Sequence, residues 1–427
     1  MNEYVVGIDI GSSKVCAAAG KLDKHGKIQI TGITSVPCNG VKRGIVVDID
    51  STAVGIKNCI EQLERMIDSK ITEAYISIPA EICELTLNRG VVAVSSEDRE
   101  IKKNDVERVL KAAKIIAIPS DKEIIGVIPE QFIVDGYDNI TDPIGMCGLR
   151  LEVDAQIILC QSTVISNIFK SIKKAGINAS GMVFQPLANA MAVLNNEEMK
   201  IGALLLDIGG ETTNITVFNG NRLIYKDMLP IGGNAIANDI SLCLKLPLSE
   251  AEKLKIKYGR VIVPNEASGE DFKIKINANY DNVVEVDYSL LIQIISARIE
   301  EILCLVKKKL SVNECLDKVS GIVVVGGGIA LTKGSIELCK SIMDKPARAG
   351  TPEYVGAASP IYSTAVGVVK DVIDSGKVDL TQSTAQESHH KKNDSKSAWQ
   401  EQDEELYSEE NNDGILSKIK GFFTDFF

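Results

Sequence analysis

Asp9 and Asp207 stand 198 residues apart in closely similar surroundings. Asp9 closes the apolar run VVGID, and Gly11, Ser12, Ser13 and Lys14 follow before the chain turns apolar again. Asp207 closes LLLD, and Gly209, Gly210, Glu211, Thr212 and Thr213 follow. Each stretch predicts strand, glycine turn and strand, with an acid at the end of the first strand. Backbone N–H groups and hydroxyls in such a turn can wrap a phosphate, while the carboxylate holds hydrated magnesium beside it. A single Asp-x-Gly turn also closes many ordinary hairpins. Two copies at this distance predict a duplicated domain whose hairpins grip a polyphosphate from both sides. A third stretch, IVVVGGGIAL, runs a strand into Gly326, Gly327 and Gly328, where bare backbone lets a flat adenosine lie close.

Holding these three pieces together takes a two-lobed α/β frame. Apolar runs predict strands over 27–36, 44–47 and 74–78 around a helix over 51–69. A helix over 104–114 with Asn104 as its N-cap follows, then strands over 122–128, 131–134 and 155–160. No nucleophile with a base and no set of metal ligands falls between residues 81 and 161, so that stretch reads as an interaction module, with an ordinary αβ insert as the alternative. A helix over 162–175 and a strand ending at Phe184 lead to a helix opened by Gln185 and Pro186, where proline's missing N–H costs nothing. Ile231-Gly232-Gly233-Asn234 opens a helix over 235–244 whose N-terminus suits an anion. A helix over 248–258 carries Glu252 and Lys255 one turn apart, a spacing that a solvated ion pair would also show. Strands over 273–276 and 282–286, a long helix over 288–310 and a helix over 359–369 complete the frame.

A chain of 427 residues holds roughly three domain-sized units, and its apolar and charged fractions are those of an ordinary globular protein. Met1–Tyr4 leads straight into the first strand with no secretory leader, and no run approaches the roughly 20 apolar residues of a membrane span. The ten cysteines form no C-x-x-C pair, and most, such as Cys16, Cys160, Cys304 and Cys339, lie in apolar runs. They read as buried, reduced thiols of a cytosolic protein, not a zinc site. His25, His389 and His390 sit in polar sequence, away from any role as a general base. A net charge of −11 argues against nucleic acid as a partner. Twelve acids and four lysines between Asp371 and Asp413 carry −8 of it, so the body is nearly neutral. Residues 376–413 are too hydrophilic to bury a core. Beyond them Ile415, Leu416, Ile419, Phe422, Phe423, Phe426 and Phe427 fall on one face of a helix over 414–427, with Asp413 as its cap, which predicts a membrane-seeking end.

Two such hairpins and a late glycine triplet, in this order, resemble the actin-like ATPases, a group shared with heat-shock chaperones and sugar kinases. GVKRGIVVDID at 40–50, PEQFIVDG at 129–136 and DPIGMCGLRLE at 142–152 resemble segments of the bacterial cell-division FtsA family, and the resemblance covers nearly the whole chain. It implies an α/β, actin-like two-lobed fold of duplicated ribonuclease-H-like halves. The first lobe would comprise 1–80, 162–200 and 359–375, with an inserted interaction subdomain over 81–161. The second lobe would comprise 201–235 and 303–358, with a small subdomain over 236–302. An acidic linker over 376–413 and an amphipathic membrane-targeting helix over 414–427 would follow.

The resemblance further implies ATP and Mg2+ in the cleft, with Asp9 and Asp207 ordering the metal's water. Gly11, Ser12, Ser13, Lys14, Gly209, Gly210, Thr212 and Thr213 would hold the phosphates. Gly232, Gly233, Asn234, Glu252, Lys255, Gly326, Gly327, Gly328 and Ile329 would take the remainder of the nucleotide. Gln185 would face the attacking water where the family usually has glutamate, so turnover is expected to be slow. Glu211 stands where glycine is more usual and Asn214 where an acid is often seen. A carboxylate there repels a triphosphate by about 1 kcal/mol or more at 4 Å, unless magnesium or an outward rotamer intervenes. The implied partners are the C-terminal tail of FtsZ, other copies of the chain in filaments, later divisome membrane proteins and the lipid bilayer. The implied place is the cytoplasmic face of the plasma membrane at the division site. A pilus-assembly scaffold of the PilM type and a small-molecule kinase share the fold, but neither gives a reason for the amphipathic end.

Overall fold

A computed structural model describes residues 4–261, 273–278 and 282–375. The expected linker and membrane-targeting helix, with Ile415 to Phe427, lie outside the described residues. The first lobe begins with β1 (Val5–Ile10), β2 (Lys14–Leu22), β3 (Ile28–Pro37) and a small hairpin of β4 (Val41–Lys42) and β5 (Ile45–Val46). Helix α1 (Ile49–Ile67) and β6 (Glu73–Ile78) follow. Asp48 starts α1, its carboxylate accepting from the Ser51 N–H at 3.0 Å.

After a 3-10 turn at Ala80–Ile82 the chain builds the insert: β7 (Cys83–Ala93), α2 (Lys103–Ala113), β8 (Lys122–Val134), β9 (Tyr137–Ile140) and β10 (Arg150–Gln161). These strands form their own sheet in the order β7-β10-β8-β9, with α2 packed on β7 and β10 over a separate core. Two expectations are corrected here. Residues 122–134 form one strand, because the ladder shifts register beside Pro129 and the proline's missing N–H falls at the bulge. Asn104 lies inside α2; Asp105 serves the helix start instead, its carboxylate accepting from the Lys102 N–H at 3.1 Å.

The chain returns through α3 (Ser162–Lys174), β11 (Asn178–Phe184), α4 (Gln185–Val193) and α5 (Asn196–Ile201). The second lobe follows with β12 (Ala203–Ile208), β13 (Thr213–Asn219), β14 (Arg222–Leu229), α6 (Gly233–Leu244) and α7 (Leu248–Tyr258). Then come β15 (Lys273–Ala278), β16 (Asn282–Asp287), α8 (Tyr288–Val312), β17 (Gly321–Val325), α9 (Ser335–Met343) and β18 (Ala347–Ala349). The last helix, expected over 359–369, is a 3-10 turn at Pro360–Tyr362 that continues as α10 (Ser363–Asp374).

The two lobes repeat one plan. The first sheet runs β11-β6-β1-β2-β3 and the second, read from its far edge, β18-β17-β12-β13-β14. Register repeats as well: Asp9 pairs with Cys16 and Ile10 with Val15, as Asp207 pairs with Asn214 and Ile208 with Thr213. Each turn closes with the same hydrogen bond, Gly11 N–H to Lys14 O at 3.0 Å and Gly209 N–H to Thr212 O at 2.9 Å. The duplication read from two sequence stretches therefore extends to whole sheets. The second lobe has a core of its own on one face of its sheet, while the first lobe's core continues onto the other face through Leu205, Phe218 and Val325.

Helices α4 and α10 cross at backbone distance. A Cβ on Gly367 would lie 1.8 Å from the Ala188 carbonyl oxygen, and one on Gly7 of β1 would lie 2.6 Å from the Ala365 oxygen. Glycine at both places lets α10 press against strand and helix together. That contact fixes α4, whose first residue, Gln185, faces the cleft between the lobes. Of the cysteines expected to be buried, Cys16, Cys160 and Cys339 are; Cys304 is exposed, on the outer side of α8. The apolar run around it is the helix's inner stripe, and Cys304 falls between the buried Leu303 and Val306 on another face.

Candidate functional site

Between the lobes lies an open cleft of about 1420 Å³, lined by both hairpin turns, the glycine triplet and the start of α4. Asp9 and Asp207, at the ends of equivalent strands, share its floor. Ser77 donates to Asp9 Oδ1 at 2.6 Å. Asp207 Oδ2 accepts from Gln185 Nε2 and Asn189 Nδ2, each at 3.0 Å, and Thr364 Oγ1 donates to Asn189 Oδ1 at 2.9 Å. Both lobe-crossing helices thus hold the second acid.

Burial raises both carboxyls. Asp9 rises through desolvation, opposed by the Ser77 hydrogen bond and the Lys14 charge. Asp207 is pushed up to about 7, first by desolvation and then by the charges of Asp9 and Glu81.

The turns are packed too closely for side chains. A Cβ on Gly210 would lie 1.9 Å from Ser13 Oγ, and one on Gly232 would lie 2.6 Å from the Gly209 oxygen. One on Gly327 would lie 2.9 Å from Lys14 Nζ, so the lysine of the first hairpin reaches toward the triplet of the other lobe. Gly326, at φ +85°, needs glycine outright. Ser13 Oγ also meets Asn234 Oδ1 at 3.4 Å, a second link across the cleft.

Most residues expected at the site line this cleft: Asp9, Gly11, Ser12, Ser13, Lys14, Gln185, Asp207, Gly209, Gly210, Thr212, Gly232, Gly233, Asn234, Glu252, Lys255, Gly326, Gly327 and Gly328. Thr213 and Ile329 do not. Thr213 is buried and donates to Ile231 O at 2.8 Å, its side chain turned to the opposite face of the strand from its neighbours Thr212 and Asn214. Ile329 is buried in the second lobe's core. The first N–H groups of α6 are also spoken for, since Gly233 and Asn234 donate to Gly209 O at 2.9 Å and Gly210 O at 2.8 Å. That helix start braces the hairpin rather than offering those two donors to an anion. Lys255 is buried, donating to Gly233 O at 3.0 Å and paired with Glu252 at 2.7 Å, so it is not one half of a solvated surface pair.

Sequence reasoning missed Glu81. It sits in the 3-10 turn between β6 and the insert, lines the cleft, and accepts from Asn214 Nδ2 at 3.0 Å and Thr212 Oγ1 at 3.4 Å. Burial holds its carboxyl above the usual range. Nothing in SIPAEIC distinguishes this glutamate; only the fold brings it to the cleft. Ser77, Asn189 and Thr364 were missed for the same reason.

Glu211 also lines the cleft, its carboxylate accepting from the Arg43 N–H in the β4–β5 turn at 3.1 Å. Two buried amide oxygens, Gln185 Oε1 and Asn214 Oδ1, receive no hydrogen bond within the described chain. Orphan acceptors beside Asp9, Asp207 and Glu81 suit groups that bring protons, such as the waters around a cation. Among the described residues no cluster of three or more His, Cys, Asp or Glu is arranged to hold a metal directly. The residues present fit hydrated magnesium with a nucleotide, the acids acting through water.

Duplicated lobes with matching sheets, an acid-bearing hairpin from each and a glycine triplet at the cleft define the actin-like fold. Solved structures agree on it. The PilM-PilN type IV pilus biogenesis complex matches with a TM-score of 0.59 at 16% identity, over 86% of this chain and 98% of that one. MreB 5 of Spiroplasma citri bound to AMPPNP matches with a TM-score of 0.52 at 13% identity, over 88% and 98%. Family models narrow the class: "Cell division protein FtsA" matches residues 204–367 and "SHS2 domain inserted in FTSA" matches residues 82–159, the insert sheet and its helix. Cell division protein FtsA of Bacillus subtilis (strain 168) is 35% identical over 369 residues, spanning 86% of this chain and 83% of its own. The chain belongs to the FtsA family of cell-division proteins.

Proposed function

We propose that the chain binds Mg-ATP between its lobes, assembles with copies of itself, and tethers filaments of FtsZ to the cytoplasmic face of the membrane at the division site. Recruitment of later divisome membrane proteins follows from that position. The observation that supports nucleotide binding best is the pair of hairpins in matching register, each delivering an acid to one cleft. Asp9 and Asp207 would hold magnesium through its waters, the hairpin N–H groups and Lys14 the phosphates, and Glu252 with Lys255 the adenosine side. Magnesium supplies charge neutralisation for the phosphates. Gln185 can orient a water but cannot take its proton, which favours slow hydrolysis.

Membership of a cell-division family and the amphipathic end at 414–427 support the tethering role over the pilus-scaffold and small-molecule-kinase readings. Two measurements test the proposal. Calorimetry should show Mg-ATP binding that Asp207→Ala weakens at least tenfold, and equal binding by both proteins would refute the cleft assignment. Liposome pelleting with ATP should bring FtsZ down with the full chain and leave it in the supernatant with a chain ending at residue 413. FtsZ pelleting equally with both would remove the tether.

A further inference from the structure

We propose that Glu81 is the proton acceptor for the water that attacks the terminal phosphate, an inference that rests on the Mg-ATP reading above. The chain has no acid at the start of α4, where Gln185 stands, and none on β13 opposite Asp207, where Asn214 stands. Glu81 approaches the same enclosure from a third side. Asp207 feels the charge of Glu81, and Glu81 that of Asp9, so the three carboxylates share one pocket. Glu81 is bound to the second hairpin through Asn214 and Thr212, and not to Gln185 or Asn189, which hold Asp207.

The turn carrying Glu81 is fixed from both lobes. Lys226 Nζ of β14 donates to Ala80 O at 2.8 Å and also to Cys83 O, so the second lobe clamps the turn on either side of the glutamate. From the first lobe, Gly44 lies against it; a Cβ there would sit 2.9 Å from Glu81 Cγ, and Gly44 has φ +76°. A carboxylate held in one place and lining the cleft, beside an Asn214 whose Oδ1 accepts no hydrogen bond within the described chain, offers an acceptor to a water with protons to give. The raised Glu81 carboxyl, due first to desolvation, moves it toward the range in which an acceptor works near neutral pH.

The step balances without a further reactant. Water oxygen bonds to the terminal phosphorus while the bond from that phosphorus to the ADP oxygen breaks, its electron pair leaving with ADP. Glu81 takes one water proton and releases it to solvent, leaving ADP, phosphate and a proton.

Single-turnover phosphate release tests this in the full chain, with ADP affinity measured in parallel by calorimetry. Glu81→Gln keeps an acceptor oxygen for Asn214 and turns its NH2 to donate to Thr212 Oγ1, so fold and ADP affinity should hold within about threefold, while the hydrolysis rate should fall about 10²-fold. Glu81→Asp, one methylene short, should recover part of the loss. Hydrolysis at the wild-type rate in Glu81→Gln overturns the proposal. So does a parallel loss of ADP affinity and rate, which marks a structural role. A wild type that binds ATP yet releases no phosphate overturns it while leaving nucleotide binding intact; a wild type that binds neither ADP nor ATP refutes the underlying reading itself.

Discussion

Gln185 turns its amide nitrogen onto Asp207 Oδ2 at 3.0 Å, the same oxygen that Asn189 reaches at 3.0 Å. The residue expected to face the attacking water therefore also holds this acid, and its carbonyl oxygen is buried without a hydrogen-bond partner in the described chain. Two donors on one oxygen do not offset the cost of burial beside Asp9 and Glu81, and the carboxyl of Asp207 remains at about 7 against a usual 3.8.

That shift predicts a pH dependence. Below about pH 3.8 Asp207 is protonated whether the chain is folded or not. As pH rises toward 7 the unfolded chain ionises first, so folding stability is lost through this window, with each unit of separation worth about 1.4 kcal/mol. Asp207→Asn removes the penalty. Its metal-free melting temperature should exceed wild type by several degrees at pH 8 and by little at pH 4, and Mg-ATP should stabilise wild type but not the variant. Parallel melting curves for the two proteins across that range would contradict the assignment.

How much of this was legible beforehand depends on whether the signal was local. Both hairpins were, because strand, acid and glycine turn are contiguous and the second copy removes the ambiguity of the first. Glu81, Asn189 and Thr364 were not: each acts across more than 100 residues or from a turn with no pattern of its own, as the 133-residue separation of Glu81 from Asn214 illustrates. Strand β7 escaped notice because CELTLNRGVVA mixes charged and apolar residues on the face that α2 does not cover. Thr213 and Ile329 were drawn into the site by adjacency to residues that belong there, yet the pleat of a strand and the packing of the loop beyond Gly328 send them into the core.

The contact between Glu211 and Arg43 bears on whether this acid repels a triphosphate. Its carboxylate is turned to a backbone N–H at 3.1 Å on the opposite lobe. Glu211→Gln keeps an acceptor and removes the charge, so Mg-ATP affinity should change by less than about threefold. A gain of tenfold, equal to about 1.4 kcal/mol, would show that the charge faces the phosphates instead.

Gly367 and Ala188 make α4 and α10 a single unit. In Gly367→Ala the added Cβ would meet the Ala188 oxygen at 1.8 Å, so the helices must part. Overpacking of this kind costs about 1–3 kcal/mol, and it should carry Gln185 and Asn189 away from Asp207, weakening nucleotide binding with stability. Gly321→Ala is the control, since its Cβ would meet nothing nearer than Pro346 O at 4.0 Å. Equal melting temperatures for the two variants would mean that the helices do not cross so closely.

The last prediction concerns residues 414–427, outside the described residues. Ile415, Leu416, Ile419, Phe422, Phe423, Phe426 and Phe427 recur at helical spacing and occupy an arc of roughly 140°, while Lys418, Lys420, Thr424 and Asp425 take the remainder. A core helix could show the same stripe, but this one follows a polar, acidic stretch over 376–413 that is too hydrophilic to dock it by a short loop. The acids of that stretch should be repelled by an anionic bilayer. Two lysines against Asp425 leave little electrostatic attraction, so apolar insertion must dominate. Seven side chains at about 1.5–3 kcal/mol each give at most about 10–20 kcal/mol before the costs of partial depth and ordering. One copy should therefore bind reversibly, and an ATP-assembled polymer presenting many copies should bind far more tightly. Phe423→Glu, in the middle of the stripe, should release the chain from liposomes, whereas Thr424→Glu on the polar face should do much less. Equal effects of the two substitutions, or undiminished binding after deletion of residues 414–427, would exclude this segment as the anchor.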